Sequence, residues 1–157
     1  MTQVRTPEGF RALTVPTEAL LNQVYSFYQD DLPTLGTGTY AESFPVPQNV
    51  DIPAMRLSYV GVRWELPFSA GESAIIRLFR FRKPAPFGPF TLSQITDAFV
   101  ANDTLDWSWT YDISANIRSG FDLNPLTDSV AVSNVYVAGG TPNVRAFRVD
   151  FAYEAIP

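Results

Sequence analysis

The chain has 157 residues, 46% of them hydrophobic and 17% charged, with a formal net charge of −5 and a pI near 4.6. That is one domain with material for a substantial core, and its acidity argues against a general grip on nucleic acid or on an anionic membrane surface, both of which need concentrated Lys and Arg. With Cys 0 and His 0, disulfides, thiolate chemistry, the commonest general base and the commonest transition-metal ligand are excluded.

In chain order, "MTQVRTPEGF" has no apolar core of a signal peptide. No later run approaches the ~18 apolar residues of a membrane span. "FRALTV" (10–15) reads as a short strand. "TEALLNQVYSFY" (17–28) sets Leu20, Leu21, Val24, Phe27 and Tyr28 at helical spacing, although "QVYSFY" also suits a strand. "GTGTY" (36–40) is a Gly-Thr loop without the Lys and flanking elements of a phosphate-binding motif.

"AMRLSYVGVRWEL" (54–66) is a long strand whose apolar phase changes beside Gly61, the mark of a β-bulge. A second strand covers 72–82. Residues 84–103 form a Pro-rich excursion. Within it "PFTLSQITDAFVAND" reads as a helix, with Leu92, Ile95 and Phe99 at i, i+3, i+7 and Thr91 and Gln94 as a capping box. "TLDWSWTYDIS" (104–114) alternates Leu105, Trp107, Trp109, Tyr111 and Ile113 with polar residues and predicts a strand with one buried face. Residues 129–138, with a phase break at Ser133-Asn134, and 144–154 predict a long terminal hairpin across Gly139–Asn143. The prolines fall between or at the ends of these segments, where a missing amide donor is tolerated.

The expected fold is all-β: one domain over 1–157, an antiparallel two-sheet β-sandwich wound as a single jelly roll, with one or two short helices in its connections.

Chemistry has little to stand on. There is no G-x-S-x-G elbow and no S-x-x-K. Asp106 and Asp112 share a strand face, but on a straight strand they stand about 20 Å apart, beyond the ~5–9.5 Å of glycosidase carboxylate pairs. "ANDTLD" (101–106) lacks the EF-hand calcium pattern. No enzyme activity, cofactor or metal is expected. A carbohydrate-binding sandwich is the alternative, with Trp107, Trp109 and Tyr111 as stacking platforms. Leu105 and Ile113 in the same row instead predict that this face is core.

The densest cationic stretch is "IIRLFRFRKPAPFGPF" (75–90). Ile75, Arg77, Phe79, Phe81 and Lys83 share one strand face; Ala74, Ile76, Leu78, Arg80 and Arg82 share the other. Neither face is wholly polar, so the strand is expected either to carry a bulge or to be covered on both sides, the second option implying a partner. Arg forks suit interface ion pairs, and Pro84, Pro86 and Pro89 stiffen a loop that holds out Phe87 and Phe90. Arg77, Arg80, Arg82, Phe87 and Phe90 are therefore the candidate assembly interface. Charged residues at 17% against a usual ~25% also predict exposed apolar surface that serves association.

A chain of this length, strand pattern and aromatic, acidic composition resembles viral coat subunits. Residues 1–20 carry only Arg5 and Arg11, not the basic arm that neutralises a packaged genome. In that respect the chain is similar to the small major capsid proteins of tailless, internal-membrane DNA phages infecting Thermus. The resemblance implies a single upright jelly roll in a virion shell, made in the host cytoplasm. It further implies self-association, pairing with a second capsid protein and no direct contact with nucleic acid.

Overall fold

A computed structural model describes residues 4–5, 11–12, 23–48 and 51–156. Its strands are β1 (Val4–Arg5), β2 (Arg11–Ala12), β3 (Tyr25–Gln29), β4 (Gly38–Pro45), β5 (Met55–Glu65), β6 (Ser73–Arg82), β7 (Thr91–Gln94), β8 (Phe99–Asn102), β9 (Tyr111–Asp112), β10 (Asp128–Val137) and β11 (Arg145–Ala155). A one-turn helix α1 (Leu32–Leu35) and a 3-10 turn (Ser114–Asn116) lie in connections. All pairings between strands are antiparallel.

Two sheets pack face to face. One has the order β3-β11-β5-β9; the other runs β4-β10-β6, with β7 and β8 following one another along the free edge of β6. From β3 onward every connection changes sheet except those from β6 through β7 to β8. That winding is a jelly roll. The all-β, two-sheet sandwich expected from the sequence is therefore present.

Alternation builds the core. On β10, Asp128, Val130, Val132, Asn134 and Tyr136 are buried and the residues between them point outward. On β11, Phe147, Val149, Phe151 and Tyr153 face them from the other sheet. Burying each such apolar side chain contributes about 1.5–3 kcal/mol. Trp64 stacks on Phe147 and Tyr111, with ring centroids 5.9 and 5.5 Å apart.

The phase change in β5 is real. Leu57 pairs with Tyr153 and Tyr59 with Ala152, leaving Ser58 as the extra residue of a bulge. Gly61 then lets the Tyr59 ring lie over the strand, because a Cβ at 61 would meet the Tyr59 hydroxyl at 2.1 Å.

Several expectations are corrected. The phase of β10 does not break at Ser133-Asn134; Asn134 continues the inward row, and its amide donates to Gln29 Oε1 of β3 at 2.7 Å across the core. Segments 129–138 and 144–154 are strands but not a hairpin, since β10 and β11 lie in opposite sheets. Both bury alternate residues, so both faces are best used when the strands oppose one another, and residues 138–144 carry the chain across.

The helix expected over 91–103 is replaced by β7 and β8. Unpaired amides on the edge of β6 capture this segment. Leu78 N donates to Thr96 Oγ1 at 2.9 Å and Ile95 N donates to Leu78 O at 2.9 Å, so the edge stays bonded through the break between the two short strands. The Gln94 side chain donates to Thr96 O rather than capping a helix. Over 104–114 only Tyr111 and Asp112 pair with β5. Asn102 accepts from Thr104, and Asp106 accepts from the Ser108 amide and hydroxyl. These successive side-chain-to-backbone turns compete with the ladder and end it.

In the helix expected over 17–28, residues 17–22 lie outside the described residues and Tyr25–Gln29 is strand β3. Of 10–15, only Arg11–Ala12 are described, as β2 paired with β1.

Two crossings between the sheets meet at one end. Glu72, 1% exposed, accepts from Ser69 N, Asn143 N and Val144 N and from the Tyr136 hydroxyl. It ties the β5–β6 connection to the β10–β11 connection. Gly139 (φ 67) sits where a Cβ would lie 2.9 Å from Glu72 N, so only glycine lets the two crossings touch.

Candidate functional site

The register makes the two outward faces unlike. Outside the β3-β11-β5 ladder stand Tyr28, Arg148 and Arg63 in one cross-strand row, with Asp150, Glu65, Arg56 and Glu154 nearby. Outside the other sheet stand Val135 and Ile75, Ala131 and Phe79, Ser129 and Phe81, then Leu92 of β7 and Val100 of β8. Leu92 is 56% exposed and Val100 47%. Arg77, opposite Ser133, is the single charged side chain among the described strand residues on this second face. It has no carboxylate partner among the described residues.

The candidate interface residues divide accordingly. Arg80 and Arg82 project inward at the end of the sandwich opposite Glu72. Arg82 Nε donates to Asp128 Oδ1 at 2.7 Å, and its second nitrogen reaches Asp128 Oδ2 and Asp122 Oδ2 at 2.8 and 3.2 Å. Arg80 pairs with Asp122 at 3.3 Å and lies 5.3 Å over the Phe121 ring. Burial opposes ionisation of Asp128, but hydrogen bonds from Arg82, the Asn124 amide and Thr127 outweigh it and hold the carboxyl below its ordinary range. Hydrogen bonding to Asp128 raises Arg82 against the effect of burial. These two arginines close that end of the sandwich and bind the 121–128 loop to β6. Arg77 faces outward, Phe90 stacks on Phe81 with centroids 4.8 Å apart, and Phe87 is fully exposed. Arg77 and Phe90 thus join Phe79, Phe81 and Leu92 at one surface. Arg80 and Arg82 do not.

A hollow of about 370 Å³ opens on the charged sheet, lined by Tyr28, Arg63, Glu65, Trp107, Trp109 and Arg148, with Trp64 behind. Trp107 and Trp109 are 42% and 63% exposed, which corrects the expectation that their row is core. Leu105 is half-buried and Ile113 buried; the turn at Asp106 separates the two tryptophans from those aliphatics. Asp106 Oδ2 accepts from Trp109 Nε1 at 2.8 Å, so the ring is held while its surface stays open. Hydrogen bonds from the Ser108 amide and hydroxyl, with a further one from Trp109, keep the Asp106 carboxyl below its ordinary value. The floor includes Ala146, whose positive φ of 42 falls in the irregular pairing between Arg145 and Arg148. Such bulges re-aim side chains at sites. The signal in the sequence was the Asp-x-Ser spacing at 106–108, which marks a turn inside an alternating run.

A second depression of about 340 Å³ is lined by Arg56, Ser58, Ile95, Ile117, Arg118 and Phe121. Its cations are already paired, Arg56 with Glu154 at 2.7 Å and Arg118 with Asp97 at 2.8 Å. Among the described residues no group of His, Cys, Asp and Glu is placed to hold a metal ion, and no helix is long and apolar enough to cross a membrane. No family model matches the chain, and no curated protein or solved structure does either.

Proposed function

We propose that this protein is a structural subunit of a virion shell, a jelly-roll coat protein that associates through the outer face of the β4-β10-β6 sheet. The observation that supports the reading is the charge asymmetry of the two faces. One sheet shows water the ion pairs Arg56–Glu154 and Arg148–Asp150, and the other shows Ile75, Phe79, Phe81, Leu92, Val100 and Val135 among small Ser, Thr and Ala side chains, with Arg77 in their midst. Apolar surface of that kind marks association in a chain otherwise able to solvate itself.

Arg77 also constrains the partner. An unpaired guanidinium buried on assembly needs an acceptor opposite it, and the described strand residues of this face carry no carboxylate. Face-to-face pairing of two identical copies is therefore disfavoured. The sheet meets either a different surface of the same subunit, or a second coat protein that supplies the carboxylate.

Light scattering over a concentration series, alone and with a second coat protein, tests this. The wild type is expected to form higher species. Leu92→Glu, at an exposed position, is expected to abolish them while leaving the unfolding temperature within a few degrees. A chain that stays monomeric in both arms, or a Leu92→Glu variant that assembles like wild type, sinks the proposal.

A further inference from the structure

The hollow beside Trp107 and Trp109 belongs to the opposite sheet and plays no part in the proposed association. We infer that it is a binding site for a carboxylate-bearing sugar, a uronic or sialic acid residue of a glycan.

Arg63 and Arg148 stand directly opposite one another on β5 and β11. Like charges in that position repel. Arg148 spends its Nε on Asp150 Oδ1 at 2.6 Å, leaving its terminal nitrogens, and Arg63 has no ion pair among the described residues. Two guanidinium forks so placed match one carboxylate, which accepts planar, bidentate hydrogen bonds and relieves the repulsion. The open faces of Trp107 and Trp109 beside them suit the C–H face of a pyranose ring. Glu65 at the rim, with the Ser108 and Thr110 hydroxyls, offers partners for sugar hydroxyls.

The probes are oligogalacturonate, a neutral galactose oligomer of equal length and an oligodeoxythymidine, titrated against the full chain with Trp fluorescence and calorimetry as readouts. Oligogalacturonate is expected to bind at least about tenfold more tightly than either control, with a shift in Trp emission. Arg63→Gln is expected to erase the preference for the acidic sugar. Trp109→Ala is expected to weaken binding by about tenfold or more, in line with the loss of one stacking platform. Both positions are exposed, and unchanged thermal unfolding of the variants confirms that the fold is kept. No binding of oligogalacturonate, equal binding of the neutral oligomer, or tighter binding of the oligonucleotide each overturns the inference. Saccharide titration is read on dispersed protein at low concentration, so its failure leaves the assembly reading standing, and the reverse holds too.

Discussion

Replacing Glu72 by Gln isolates the device that joins the two crossings. The carboxylate serves four donors: Ser69 N at 2.9 Å and Asn143 N at 3.1 Å on Oε1, with Val144 N at 3.3 Å and the Tyr136 hydroxyl on Oε2. An amide has one acceptor oxygen. If its NH2 takes the Oε1 place, the Ser69 amide faces a donor; if it takes the Oε2 place, the Val144 amide does. Either way at least one backbone N–H loses its partner, at about 1–3 kcal/mol. The bonds that remain also lose their charge assistance, a further ~1 kcal/mol. The expected loss is about 3 kcal/mol, or ~6–12 °C in Tm for a domain of this size. Burial, then the bond to Glu72, holds the Tyr136 phenol above its ordinary pKa, so it remains a donor at neutral pH. Tyr136→Phe should therefore cost less than Glu72→Gln, and the double variant should fall short of the sum because the two side chains share a bond. The assay is urea and thermal unfolding followed by circular dichroism. A loss below about 1 kcal/mol for Glu72→Gln, or strict additivity with Tyr136→Phe, refutes the reasoning.

Asp128→Asn should destabilise by about 2–3 kcal/mol, less than a fully buried pair because Asp122 still receives Arg82; urea midpoints at neutral pH measure it. Since the folded pKa of Asp128 is depressed, its contribution is complete above the ordinary Asp value of ~3.9 and is lost as pH falls through the lower folded value, so the stability curves of the wild type and the Asp128→Asn variant should converge in acid. Tyr153→Phe should stabilise by up to ~1 kcal/mol, because the buried Tyr153 hydroxyl has no hydrogen-bond partner among the described residues; a clear loss of Tm would point to a bound water instead. Asp106, held low by Ser108 and then Trp109, should keep the Trp109 indole N–H resonance fixed as pH drops through the ordinary carboxylate range and release it only below. A midpoint at the ordinary Asp value would contradict the turn geometry.

Period-2 patterning carried the architecture where a strand is long and half-buried. β5, β6, β10 and β11 all fall where alternation placed them, and the bulge in β5 was visible because Leu57 and Val60 are out of phase. Alternation says that a strand has a covered face but not which sheet it joins, so the two terminal strands that it suggests as a hairpin lie in opposite sheets. Asn134 broke the apolar pattern but not the physical one, because its partner Gln29 lies more than a hundred residues away. At 91–103 local helical spacing lost to the open edge of β6, a tertiary effect without a local signature. Around Trp107 and Trp109 the error ran the other way: two short polar side chains, Asp106 and Ser108, outweighed an alternating row and turned a predicted core face out to solvent. Arg80 and Arg82 could be assigned to a face from sequence, but the carboxylates that claim them come from Asp122 and Asp128, across a loop whose path the residues do not announce.

The position of the cations separates the roles of the two sheets. Arg80 and Arg82 are neutralised inside the fold, Arg56 and Arg118 pair at the surface, and Arg145 pairs with Asp31 at 2.7 Å. What remains without a carboxylate among the described residues includes Arg77 on the otherwise uncharged face and Arg63 in the aromatic hollow. In a chain with 16 acidic residues and 11 basic ones, an arginine that finds no internal acid is the exception, since partners are in excess. Each of these two sits where an apolar or aromatic surface surrounds it, the setting in which a guanidinium gains most from an acceptor brought by another molecule. Arg77 lies among flat aliphatic and aromatic neighbours and suits a broad protein face. Arg63 lies in a concave site beside two tryptophans and suits a small, singly charged ring. The jelly roll keeps the two apart because β6 and β5 belong to opposite sheets, so whatever meets one face leaves the other open to water.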